Sequence, residues 1–227
     1  MDNVAGLQDF LYKSQVYQAV SLKTETETYR RGMVEADPDT GEGMTMGALY
    51  WQLNDIWQGA SWSSLEYGGQ WKLSHYFAES FFRPVIISPI IDKDMVQVWL
   101  VCDELKPDTE MLLTMDVYHY DRSVTMTTRV SAFCNAGGSV KIMETSLSSI
   151  LEEGRCRTGS YDSYRLQYCL LYFTLRDSGD GHLFHSNYIM APPKVIILIL
   201  SSPGPKIKEP WADTKISLAK TPHHPTP

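Results

Sequence analysis

The sequence predicts two structural regimes in one chain, the terminal part of an α/β barrel followed by an antiparallel β-sandwich. Two observations carry this reading. Before residue 84, apolar residues fall at helical spacing on either side of one continuous apolar run, and after it they fall at a period of two. Turn-forming residues then separate the alternating stretches, at Lys106-Pro107-Asp108 and across Asp177-Ser178-Gly179-Asp180-Gly181.

Leu7, Phe10, Leu11, Tyr17 and Val20 recur at near-helical spacing after Asp2-Asn3, and Arg30-Arg31-Gly32 supplies a cationic last turn and a glycine stop, so one long amphipathic helix is expected there. A polar loop follows through Asp37-Pro38-Asp39. The uninterrupted run Met46-Gly47-Ala48-Leu49-Tyr50-Trp51-Gln52-Leu53 then suits a parallel strand covered on both faces. Trp71, His75, Ala78 and Phe82 stand at helical intervals until Arg83-Pro84 ends the helix. Helix, strand, helix fits the end of an α/β barrel, with the boundary near Phe82 to Pro84.

Alternation is read in Val96 to Cys102, Met111 to Val117, Val124 to Val130, Val140 to Ile142, Tyr168 to Leu175 and Leu183 to Ile189. Three segments result: residues 1–83, 84–190 and a Pro-rich tail over 191–227, whose composition cannot build a core and predicts disorder. Within it, Val195 to Leu200 reads as an aggregation-prone strand without a partner.

A net charge of −7 and the absence of a Lys/Arg cluster exclude a phosphate-backbone partner. No apolar run approaches the ~20 residues of a membrane helix, and the residues after Met1 have neither the basic start nor the apolar stretch of a signal peptide. Cys102, Cys134, Cys156 and Cys169 form no CxxC pair and lie far from any His at ligand spacing, so neither a metal nor another cofactor is expected. A Cys156 to Cys169 bridge has weak support, and buried free thiols are the favoured reading for Cys102 and Cys169.

Four of the six tryptophans, Trp51, Trp57, Trp62 and Trp71, fall around the end of the apolar run. An indole face stacks on the C–H face of a pyranose while Asn and Asp bind hydroxyls, so Trp51, Asn54 and Asp55 make the candidate saccharide-contacting set. Barrel sites lie at the C-terminal ends of strands, where these residues would emerge. Trp57 and Trp71 are expected in the core, Glu66 on a solvated face, and His75 as a packing histidine.

Residues 46–57, with Ser61-Trp62-Ser63-Ser64-Leu65-Glu66-Tyr67-Gly68-Gly69-Gln70-Trp71-Lys72 and His75-Tyr76-Phe77-Ala78, resemble the last barrel strand and helix of glycoside hydrolase family 2 β-mannosidases, mammalian lysosomal type. Phe10 to Gln15 and Tyr29-Arg30-Arg31 look like that family too. The resemblance implies the end of a (β/α)8 barrel with Trp51 in a mannose pocket, Asn54 and Asp55 supporting or lining it, and then an immunoglobulin-like sandwich. It implies a retaining glycosidase that removes terminal β-mannose from oligosaccharides in the lysosome.

Such enzymes need two carboxyl groups about 5 to 5.5 Å apart. By the resemblance both are glutamates on strands preceding Met1, so this chain carries no catalytic residue and is expected to be inactive alone. The family also continues past Asn187-Tyr188 into a further domain, where this chain turns into its Pro-rich tail. One alternative is a non-catalytic carbohydrate-binding sandwich using Trp99, Tyr118, Tyr120 and Tyr172, although core burial explains those aromatics as readily. A sister β-galactosidase or β-glucuronidase is disfavoured by the Tyr50 to Trp57 motif.

Overall fold

The computed structural model describes residues 2–34, 38–41, 43–103, 109–119, 123–133, 137–156 and 169–191. They lie in one compact unit, Met1–Val195. The Lys106-Pro107-Asp108 turn, Cys134, Tyr120, the apolar run 195–200 and nearly all of the Pro-rich segment lie outside the described residues.

Helix α1 (Asp2–Arg31) runs the length that the spacing indicates, with Arg30 and Arg31 in its last turn. Its buried face differs from the expected apolar stripe. Ala19, Thr26, Glu27 and Arg30 are buried, whereas Leu7, Phe10, Leu11 and Tyr17 are exposed. The second half of α1 therefore makes the packing contacts, and the stripe on the first half has no cover among the described residues. Helix α2 (Leu73–Phe81) buries Ser74, Ala78 and Phe81 and packs on α1, while Trp71 and Phe82 stay exposed.

Between the helices the expected strand over residues 46–53 is absent. Only isolated bridges form there, Asn54 with Leu65 and Leu65 with Trp71. A parallel strand takes its hydrogen bonds from neighbours on both sides, and the described residues supply none along Met46 to Trp51. Met46 is 96% and Leu49 102% exposed as a result.

The sandwich consists of β1 (Val85–Asp92), β2 (Met95–Cys102), β3 (Glu110–His119), β4 (Val124–Phe133), β5 (Gly138–Ser146), β6 (Cys169–Asp177) and β7 (Leu183–Ala191). One sheet has the order β1-β2-β5 and the other β4-β3-β6-β7, all pairs antiparallel. Alternation places Val98 and Leu100, Leu113 and Met115, and Leu171 and Phe173 in a shared core between the sheets. Each such side chain contributes about 1.5–3 kcal/mol of burial. Tyr118 and Tyr172 alternate with the buried positions and so sit on the outer face of their sheet, not in the core.

Two elements carry no strong periodic signal. Strand β1 starts with four consecutive buried residues and contains Pro89, which an edge strand tolerates. Helix α3 (Leu147–Glu153) is short and buries Leu147 and Ile150 against the sandwich core. Ser146 caps it by accepting the Ser149 N–H at 3.2 Å. Asp94 buttresses that cap, accepting from Ser146 Oγ at 2.8 Å and from Ser148 Oγ at 2.7 Å; the Ser148 bond first, then the Ser146 bond, holds its carboxyl below the usual range.

Cys156 and Cys169 form a disulfide with Cα atoms 5.9 Å apart, and Cys102 is also disulfide-bonded. The free-thiol reading of Cys102 and Cys169 is corrected: both are buried, but oxidised and paired. The bridge joins the segment after α3 to the start of β6, a proximity that only the folded sandwich creates.

Two polar clusters bind the C-terminal third of α1 to the sandwich. In the first, the Arg30 guanidinium donates to the carbonyls of Phe81 (2.6 Å) and Arg83 (2.8 Å) and pairs with Asp103 at 2.7 Å. It thereby satisfies carbonyls at the end of α2 that the helix itself leaves open. In the second, buried Glu27 accepts from Ser88 Oγ (3.0 Å) and Asn187 Nδ2 (3.1 Å) and lies 3.4 Å from Lys23 Nζ. Asn187 also donates to Ile87 O at 2.9 Å, and His185 Nδ1 accepts from Ile87 N at 3.3 Å. Side chains of β7 thus take up the main-chain groups on the free edge of β1.

Candidate functional site

The sequence-selected residues Trp51, Asn54 and Asp55 lie on a loop between the unpaired segment and α2. The loop is folded by its own main chain: Ser64 N donates to Gln52 O (3.0 Å), Leu65 N to Leu53 O (2.8 Å) and Asp55 N to Leu65 O (3.0 Å). Lys72 N donates to Ser64 O at 2.9 Å, which ties the loop to the start of α2. Gly68 and Gly69 turn the chain at φ +103° and +87°, a region that glycine enters without steric cost.

Beneath that turn lies a compact polar cluster. Ser61 Oγ donates to Asp55, and Lys72 Nζ sits 3.3 Å from the Asp55 carboxylate and 2.8 Å from Ser63 Oγ. The Asp55 and Lys72 side chains are only 6% and 11% exposed. The Ser61 hydrogen bond, followed by Ser63 and the Lys72 charge, holds the Asp55 carboxyl below its ordinary pKa. A second chain runs from Tyr50 Oη to Ser64 Oγ (3.0 Å) and on to His75 Nδ1 (3.0 Å), with Ser64 also donating to Leu53 O at 3.0 Å. His75 has its ring against Trp71 at 4.3 Å.

The chemistry available here is narrow. Asp55 is an ionised carboxylate committed to two hydroxyls and an ammonium, so its role in this geometry is to hold the loop. Asn54 donates only a long 3.3 Å bond to Asp55 O and is exposed. Trp51 presents its indole to solvent at 75% exposure. Trp57 and Trp71, expected in the core, are 67% and 48% exposed. Their burial would need neighbouring elements that the described residues lack. The structure therefore leaves Trp51, Trp57 and Trp71 open to solvent and Asn54 free to meet a hydroxyl.

Ser61, Ser63, Ser64 and Lys72 were not singled out from the sequence; the serine run and the lysine seventeen positions after Asp55 give no signal until the loop closes on itself. A cleft of about 240 Å³ lies elsewhere, lined by Tyr29, Arg30, Met46, Ala48, Phe82 and Asp103, with its two charges paired to each other. It includes none of the three sequence-selected residues. Among the described residues, no three His, Cys, Asp or Glu side chains are placed to hold a metal ion, and no helix is long and apolar enough to cross a membrane.

The loop also meets α1. Gln18 Nε2 donates to Trp62 O at 2.8 Å, and Gln15 Oε1 accepts from Leu73 N at 3.2 Å.

No family model matches the chain. Among curated proteins, it is 41% identical over 190 residues to a β-mannosidase of Rattus norvegicus, covering 82% of this chain and 20% of the rat protein. It is 53% identical over 117 residues to a β-mannosidase of Capra hircus, covering 52% of this chain and 13% of the goat protein. The chain thus spans a fifth or less of the length of these relatives. Among solved structures, a β-D-mannosidase from Dictyoglomus thermophilum superimposes with TM-score 0.60 at 23% identity over 80% of this chain and 19% of that one. An exo-chitosanase from Amycolatopsis orientalis also gives 0.60, at 18% identity over 81% and 19%. At these identities the two structures show a shared fold alone.

Proposed function

We propose, for a chain related to mammalian β-mannosidases over part of their length, that it is the segment of such a glycosidase bearing one wall of the sugar site and the sandwich behind it. Residues 1–83 are in this reading the end of a (β/α)8 barrel and 84–190 an immunoglobulin-like domain. The long enzyme would remove terminal β-mannose from oligosaccharides in the lysosome. Trp51 would stack on the sugar, Asn54 would reach a hydroxyl, and Asp55 would hold the loop that carries both.

The observation that carries the reading is the relation over 190 residues, joined to open indoles on a loop whose one buried carboxylate is already spent. Retaining hydrolysis needs two carboxyl groups about 5 to 5.5 Å apart, one as nucleophile and one as acid. Asp55, tied to Lys72, offers no proton, and the 227 residues by themselves are proposed to be inactive.

A chromogenic β-mannoside incubated with the purified chain should release no more product than buffer. Release that disappeared in Glu66→Gln would overturn the proposal. In a longer chain that carries these residues and is active, Trp51→Ala should lower kcat/KM at least about tenfold, since a stacked indole contributes roughly 1 kcal/mol or more.

The alternative, a carbohydrate-binding sandwich, draws on the outward positions of Tyr118 and Tyr172. Their rings meet edge to face at 6.2 Å and 76°, which offers a sugar no flat surface, so the glycosidase segment is the better reading.

A further inference from the structure

The stretch from Gly43 to Asn54, Gly-Met-Thr-Met-Gly-Ala-Leu-Tyr-Trp-Gln-Leu-Asn, contains no charged residue. From Met46 to Trp51 its main chain makes no hydrogen bond with any described residue. A segment whose main-chain N–H and C=O groups find no partner among the described residues is a template for strand pairing, and proteins normally guard such edges with lysine, proline or a bulge. None of these guards is present here.

We propose that in this chain the segment 46–51 is a self-association surface, flanked by the exposed side chains of Leu53, Ile56 and Trp57, and that its occupant is the same segment of a second copy, paired antiparallel about a two-fold axis. Identical uncharged strands match one another without opposing charges, and an antiparallel pair is closed by a two-fold operation. The area is sufficient. Met46, Leu49, Trp51, Leu53, Ile56 and Trp57 are between 55 and 102% exposed. At roughly 200 Å² for each large side chain they offer on the order of 900 Å² of apolar surface, comparable to the ~800 Å² per partner of a standard interface. The only opposing term in view is the net charge of −7 on each copy, so added salt should strengthen the pairing. The inference rests on exposure and unpaired main chain, not on the glycosidase reading.

Sedimentation equilibrium of the full chain between 5 and 100 μM tests it. The expected result is a mass above that of the 25.8 kDa monomer, with Leu49→Lys shifting the association to at least tenfold higher concentration. Leu49 is fully exposed in the monomer, so its replacement leaves folding intact, which circular dichroism verifies. Leu49→Val should associate like the parent, and so should Leu183→Lys, a charge placed on the sandwich. No cysteine is free among the described residues, so Leu49→Cys adds a thiol at the proposed contact that should cross-link copy to copy under mild oxidation. A monomer at 100 μM would overturn the proposal, and so would association unchanged by Leu49→Lys, which would move the contact to another surface such as the Leu7–Leu11 stripe.

Discussion

Acidification from pH 7 to pH 5 should remove about 2 kcal/mol of stability through one imidazole. His185 faces inward on β7, and its pKa is pushed down to about 3, by burial first and then by the positive charges of Lys23, Arg83 and Arg30. Its partners fix the neutral tautomer. Ile87 N–H donates to Nδ1 at 3.3 Å, which leaves the Nε2 proton for Ser80 Oγ at 3.1 Å. A second ring proton would sit on Nδ1 and point at the Ile87 N–H. Since the folded value lies below the unfolded value of about 6.5, the unfolded chain binds the extra proton between the two. The contribution is whole above about pH 6.5 and declines as pH falls toward 3, by at most about 1.4 kcal/mol per pH unit. Between pH 7 and pH 5 that integrates to about 2 kcal/mol. The depressed carboxyls of Asp55, Asp94 and Glu144 lose their contributions only lower, from the ordinary carboxylate range of about 4 downward to their lowered folded values. Urea unfolding at pH 5, 6 and 7 should show this loss in the parent and less than half of it in His185→Gln, which keeps an amide near Ser80 but does not titrate. Equal pH slopes in the two proteins would refute the assignment.

Asn187→Ala should cost about 3 kcal/mol in the same assay at pH 7, because buried Glu27 loses a donor and Ile87 O is left without one. Replacing both Cys156 and Cys169 by Ser should cost about 3 kcal/mol, the loop-closure value for the 13-residue separation; a loss below 1 kcal/mol would show that the bridge restrains little. Hydrogen exchange should protect the amides of Lys23 to Arg31 as well as those of β7, while Leu7 to Tyr12 exchange much faster; uniform exchange along α1 would contradict the clamp at Glu27 and Arg30.

The long helix and six of the seven strands were legible because their apolar residues repeat at 3.6 or 2. Strand β1 escaped notice because Val85 to Ser88 are buried on both faces, so they show no alternation. Helix α3 is too short for a period, and its cap is recognised only once Asp94 reaches Ser146 and Ser148 from another part of the chain. The run from Met46 to Leu53 has strand composition but no strand, since composition reports the surroundings a segment suits and pairing needs the neighbours themselves. The same reason governs the candidate site. Trp51, Asn54 and Asp55 could be selected by residue type, whereas the capture of Asp55 by Ser61 and Lys72 depends on loop closure, and the exposure of Trp57 and Trp71 depends on what stands beside them.

Helix α1 acts mechanically as a strut with one fixed end. Its last turns are gripped at Glu27 and Arg30, while Gln15 and Gln18, nearer the other end, hold Leu73 and Trp62. Gln18 lies about 18 Å along the axis from Arg30. A tilt of roughly five degrees about the grip therefore carries Trp62 and its neighbours by about 1.5 Å, a displacement of the size that misaligns a bound ligand. Substitutions at Asn187 or Asp103, which make no contact with the Trp51 loop described above, thus gain leverage over it.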